Sequence, residues 1–214
     1  MGDTIVTSRN VVKLFFSTLL IGGIVTGITG FIVRWQEFGS YFLNIELSKI
    51  TSIFFWLFCV GLIFSLVSQV AFFAYLTVHR FGLGIFRSLW NGVQVVLILF
   101  ALFDLVYFRY RAFAESGDSV VPYLVPAALI LIVGLVISYF KGRQTNQSAF
   151  IPALFFMTVV TIVEWVPILR INDENWTYLM IFPLLACNAY QLFILHKLNI
   201  ASMEERNAKV ENPA

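Results

Sequence analysis

Ile50-Thr-Ser-Ile-Phe-Phe-Trp-Leu-Phe-Cys-Val-Gly-Leu-Ile-Phe-Ser-Leu-Val-Ser-Gln-Val-Ala-Phe-Phe-Ala-Tyr-Leu-Thr-Val78 runs for 29 residues without a formally charged side chain. As a helix rising about 1.5 Å per residue it is about 44 Å long, more than the roughly 30 Å hydrocarbon core of a bilayer. The segment must therefore tilt, kink or begin in the interface near Ile50. Uncharged runs recur on both sides of it: Leu14 to Val33, Ser119 to Phe140, Gln144 to Val163 and Asn175 to Leu195, each of 20 to 22 residues. A further 21 residues, Ser88 to Phe108, are interrupted only by Asp104.

These runs predict an all-α, polytopic integral membrane bundle of six transmembrane helices, at about 11–33, 50–78, 88–108, 119–140, 147–169 and 175–196. The whole of 1–198 reads as one transmembrane domain, and 199–214 as a polar cytoplasmic tail that extends the last helix and frays. Composition agrees: of 214 residues, 59% are hydrophobic, 17% aromatic and only 12% charged. A water-exposed surface of mixed charge cannot be built from so few charges, which excludes a soluble enzyme or a nucleic-acid-binding domain. The net charge of +2 points to no anionic partner, and no nucleic acid is expected.

Six crossings place both termini on one side. Nine Lys and Arg residues fall on the terminal side and five on the other, which predicts cytoplasmic termini and a multi-pass protein of the bacterial cytoplasmic membrane. Arg9 and Lys13 precede the first apolar run as in a signal peptide. That run is long and no small-residue cleavage site comes after it, so it reads as a retained anchor. Trp35, Trp165, Trp176, Tyr107, Tyr110 and Tyr123 near outer ends, and Trp90, Tyr75 and Tyr139 near inner ends, fit interfacial belts.

Little in the chain carries reaction chemistry. Cys59 and Cys187 lie in the middle of apolar runs, where a thiol behaves as a small hydrophobe. His79 and His196 sit at cytosolic helix ends without partners at metal-ligand spacing. No nucleophile triad, HExxH or phosphate-cradling loop occurs, so no enzyme, metal or cofactor is expected.

Three sets of residues are candidates for function. Gly23 and Gly27 form a GxxxG strip on helix 1, a seam for another helix inside the bundle or in a partner. Asp104 and Glu164 lie about one turn below outer helix ends and share a layer. If they converge they hold a proton or a cation; the plainer alternative pairs each with Arg34, Arg109 or Arg170. On the cytosolic half, Asn91 with Gln94 and Asn188 with Gln191 are spaced i, i+3, and with Gln69 they make a candidate amide cluster, either packing glue or a polar pocket.

The most distinctive segment joins helices 2 and 3: Phe72-Phe-Ala-Tyr-Leu-Thr-Val-His79-Arg80-Phe-Gly82-Leu-Gly84-Ile-Phe-Arg87-Ser-Leu-Trp90-Asn91. Two arginines among apolar residues predict a turn lying in the interface, arginines toward anionic headgroups, with Gly82 and Gly84 permitting the reversal. This segment and the six-span plan resemble the KinB-signalling pathway activation proteins of spore-forming Gram-positive bacteria. The resemblance implies a non-enzymatic accessory that activates the sensor histidine kinase KinB, which feeds the sporulation phosphorelay. Gly23, Gly27, His79, Arg80, Arg87 and Trp90 are the candidate contacts with that kinase, and membrane lipids are the other expected partner. The rival reading is a small membrane transporter or a ligand- or lipid-binding sensor built on the intramembrane polar residues.

Overall fold

The computed structural model of the chain describes residues 8–115, 117–171 and 173–211. Among them every regular element is helical. The order is α1 (Ser8–Val33), α2 (Trp35–Leu43), α3 (Leu47–Phe86), α4 (Trp90–Phe113), α5 (Val121–Gln144), α6 (Phe150–Phe155), α7 (Thr161–Leu169) and α8 (Glu174–Glu211). A 3-10 turn, Arg87–Leu89, joins α3 to α4, and a π-helical turn, Phe156–Val160, joins α6 to α7. Among the described residues five continuous helical stretches are long and apolar enough to cross a membrane: Arg9–Val33, Leu47–Phe113, Val121–Gln144, Gln147–Leu169 and Glu174–Glu204.

The second stretch holds both α3 and α4, and the break between them is not where the sequence predicts it. α3 continues through Gly82 and Gly84 and ends at Phe86. The reversal falls on Arg87, whose φ of 49° is left-handed, a conformation that costs a side chain with Cβ. Gly82 has another role. A Cβ there would lie 2.5 Å from the Trp90 ring, so the glycine lets α4 fold back onto the last turns of α3. The connection after α1 is also helical, since α2 packs its Trp35 ring on Phe42 and Phe42 edge-on against Phe31.

α1 packs along α3 and α8, while α4, α5, α6 and α7 form a second group, joined to the first through α7 against α8. The shared core holds Leu57, Phe72, Ile130, Phe156, Met157, Trp165, Leu179, Ile181 and Leu184, all fully buried. The outward faces are apolar as well: Phe55, Val70, Leu99, Ile132 and Val163 are each at least 60% exposed. Residues 199–211 continue α8, and Asn10 Nδ2 donates to Ser202 Oγ at 2.8 Å, which ties this extension to the start of α1.

Candidate functional site

The seam between α1 and α3 is closed by small residues. A Cβ on Gly61 would strike the Gly22 carbonyl, and one on Gly22 would strike Ser65. Gly23 and Gly27, the candidate partner strip, are buried against the rings of Phe58 and Phe54 of α3. The GxxxG therefore serves packing inside the bundle, and neither glycine faces outward. The physical reason is local: two adjacent long apolar helices with facing glycines gain more van der Waals contact by closing on each other than by staying apart.

Where α7 meets α3 and α8 lies a chain of buried hydrogen bonds. Gln191 Nε2 donates to Ser68 Oγ at 2.6 Å, and the Ser68 hydroxyl donates to Asn188 Oδ1 at 2.7 Å. Asn188 Nδ2 then donates to Thr161 Oγ1 and to Glu164 Oε2, each at 2.9 Å. Every member is buried. Asn188 thus uses its acceptor and both donors, which fixes the amide orientation and links α3, α7 and α8. The π-helical turn before Thr161 shifts the register of α7 against α6 by one residue, and such turns gather at functional positions. Thr158, inside that turn, returns its hydroxyl to the Leu154 carbonyl at 2.7 Å.

Of the predicted amide cluster, Asn188 and Gln191 are brought together and the others are not. Gln69 is buried with neither amide atom hydrogen-bonded. Gln94 is buried in α4 near the Tyr75 hydroxyl, and Asn91, one turn earlier, points outward. Glu164 is joined to Asn188, whereas Asp104 is half-buried and lines a groove of about 610 Å³ between α4 and α7, with Arg109 and Arg170 at one end. No hydrogen bond links the two carboxylates, and Arg34 is paired with Glu37 at 3.5 Å. Equal depth on two helices does not make two side chains meet; the faces must also turn toward each other.

Sequence reading missed Ser68, Thr161 and Lys141. Ser65 with Ser68 and Thr158 with Thr161 are hydroxyls spaced i, i+3 within apolar runs, and that pattern was the available signal. Lys141, counted only as a cytosolic charge, is buried and donates from Nζ to the Leu192 carbonyl at 2.6 Å, next in sequence to Gln191.

The α3–α4 turn is a second candidate surface. Trp90 is buried, its Nε1 donating to His79 Nδ1 at 2.9 Å, its ring stacked on Phe86 with centroids 5.8 Å apart. Tyr75 stacks beside Phe155 and donates its hydroxyl to the Pro152 carbonyl at 2.8 Å, which anchors the turn to α6. Outside this anchor, Arg80 and Arg87 are exposed among Phe81, Leu83, Ile85 and Leu89, also exposed. Trp90 and His79 hold the turn in place; the arginines and apolar side chains are what a membrane surface or another protein would touch. Among the described residues no group of three or more His, Cys, Asp or Glu side chains is placed to hold a metal ion.

The segment that makes this turn lies within residues 22–198, which match the family model described as KinB-signalling pathway activation in sporulation. The chain belongs to this family. A KinB-signaling pathway activation protein of Bacillus subtilis (strain 168) is 48% identical to it over 192 residues, covering 89% of this chain and 97% of that protein. No solved structure is significantly similar. The KinB-signalling activation family is described by a role in signalling and by no reaction, and its match takes in both the buried hydrogen-bond chain and the Trp90 turn.

Proposed function

We propose that the chain is a six-span protein of the bacterial cytoplasmic membrane, with both termini cytoplasmic, that acts as a non-enzymatic accessory and activates a KinB-type sensor histidine kinase feeding the sporulation phosphorelay. The observation that carries this reading is the near full-length likeness to the Bacillus subtilis activation protein. Supporting it, the outward faces of the helices are apolar over lengths that suit hydrocarbon, and the α3–α4 turn exposes Arg80 and Arg87 beside Phe81, Leu83, Ile85 and Leu89. Activation without chemistry requires differential binding: the accessory must hold one conformation of the kinase more tightly than the other, because equal affinity shifts nothing.

In this reading Arg80 and Arg87, presented by the Trp90 and His79 anchor, are the kinase contacts, with membrane lipid around the rest. Gly23 and Gly27 drop out of the contact set because α3 covers them. The test is complementation. In a Bacillus subtilis strain lacking its own activation protein, this chain should restore sporulation that depends on KinB, and kinase should co-purify with it from crosslinked membranes. Restoration that persists when KinB is deleted, or a chain that inserts normally and restores nothing, rejects the proposal.

A further inference from the structure

A cleft of about 230 Å³ opens where the end of α4 and the first turns of α5 and α8 meet, separate from the buried hydrogen-bond chain and the α3–α4 turn but sharing Arg109 with the α4–α7 groove. Its walls carry Arg109 from α4, Pro122 and Tyr123 from α5, and Glu174, Thr177 and Tyr178 from α8. With Val125 and Pro126 the only other lining residues, the exposed wall is more polar than apolar, unlike that of the α4–α7 groove. The Arg109 guanidinium lies 5.8 Å from the centre of the Tyr123 ring, which holds it at the cleft. Thr177 is 97% buried, and its Oγ1 has no hydrogen-bond partner, although its carbonyl is taken by Trp165 Nε1 at 3.0 Å. A buried hydroxyl without a partner is costly and calls for one.

Pro122 supplies an acceptor. The residue four positions later is Pro126, which has no N–H, so the Pro122 carbonyl lacks its helical donor. The cleft thus offers a guanidinium and hydroxyls for an anion, and a carboxylate and a carbonyl without its usual helical donor for a cation. One positive and one negative group leave no net charge, which suits a neutral zwitterion better than a simple anion. The volume is below the range of about 300–1,000 Å³ usual for drug-sized ligands, so the occupant has few heavy atoms.

We infer that this cleft is a binding site for a small zwitterion of free amino-acid size, its carboxylate on Arg109 and Thr177 and its ammonium toward Glu174 and the Pro122 carbonyl. Six crossings put the cleft on the outside of the cell. Only that sidedness rests on the topology proposed above; binding itself does not.

The test uses the full chain purified in detergent, with calorimetry and thermal midpoints read against each standard amino acid singly and against acetate and ethylamine as single-charge controls. At least one amino acid should bind and raise the midpoint, and neither control should. R109Q and E174Q should each weaken binding by about tenfold or more, T177V by a few-fold, and R111Q, two residues further along α4 and outside the cleft lining, should leave it unchanged. Glu174 is exposed, so E174Q keeps the test valid if R109Q fails to fold. Binding by no amino acid, binding of acetate as strong as that of the zwitterion, or equal affinity in E174Q and the unaltered chain would each overturn the assignment. A chain that binds as expected in detergent yet labels with inverted topology in cells would overturn the six-span orientation and leave the site intact.

Discussion

Asn188 Nδ2 donates to Glu164 Oε2 at 2.9 Å, joining the middle of α8 to α7 through two side chains that are both at least 96% buried. The same amide nitrogen reaches Thr161, and its oxygen accepts from Ser68, so one residue closes four side chains into a unit. Replacing it strands three partners at once. Asn188→Leu is expected to lower the thermal stability of the purified chain by about 2–4 kcal/mol, since each stranded buried group costs about 1–3 kcal/mol and intramembrane bonds individually contribute less than that. Glu164→Gln retains an acceptor oxygen for Asn188 and should cost under about 1 kcal/mol. Thermal unfolding in one detergent, showing Glu164→Gln to be the more damaging change, would mean that the carboxylate matters for something other than this bond.

Glycines in α3 divide by what a methyl group would meet. At Gly61 it would strike the Gly22 backbone carbonyl, which cannot swing away. Gly61→Ala is therefore expected to destabilise by about 1–3 kcal/mol. At Gly84 nothing lies within 4 Å, and a helical glycine replaced by alanine gains about 0.5–1 kcal/mol. A common detergent scan of both variants checks the contrast; a loss at Gly84 equal to that at Gly61 would place an unrecognised neighbour on the outer face of the turn.

At the α3–α4 turn, anchoring and contact should separate. Trp90→Phe keeps a ring over Gly82 and removes the N–H that His79 accepts, an expected loss of about 1 kcal/mol in stability. Arg80→Ala with Arg87→Ala leaves the anchor intact and should barely move the unfolding midpoint while lowering KinB-dependent sporulation several-fold. Sporulation counts beside midpoints for the two variants decide it. Normal sporulation in the double arginine variant removes this surface from the kinase contact.

Topology is open to labelling. With Cys59 and Cys187 replaced by alanine, a cysteine at Glu115, in the connection after α4, should react with a membrane-impermeant maleimide on intact cells. A cysteine at Ser88, in the α3–α4 turn, should react only after lysis. Reversed labelling would put both termini outside.

The helical class and the positions of the apolar segments were readable because charge is excluded from hydrocarbon whatever the neighbours are: Arg34, Lys49, Asp118 and Lys141 bound their runs by identity alone. The turn at Arg87 was misplaced for an equally physical reason. Gly82 and Gly84 carry the backbone freedom that marks a reversal, but one of them is glycine to admit Trp90 and the other has open space where a Cβ would lie, while the left-handed position is taken by an arginine.

By itself, then, the sequence determined that the chain is built of long apolar helices, and through the Phe72 to Asn91 segment which family it resembles. These rest on side-chain hydration and residue identity, properties of one chain segment at a time. Tertiary structure alone decided that Gly23 and Gly27 close on Phe58 and Phe54, that Glu164 meets Asn188 and not Asp104, and that Arg109, Glu174 and Thr177 share a cleft. Each depends on the rotation of one helix against another. The π-helical turn at Phe156–Val160 turns α7, and Glu164 with it, relative to α6, and a helical repeat read along one segment holds no record of the face its neighbour presents.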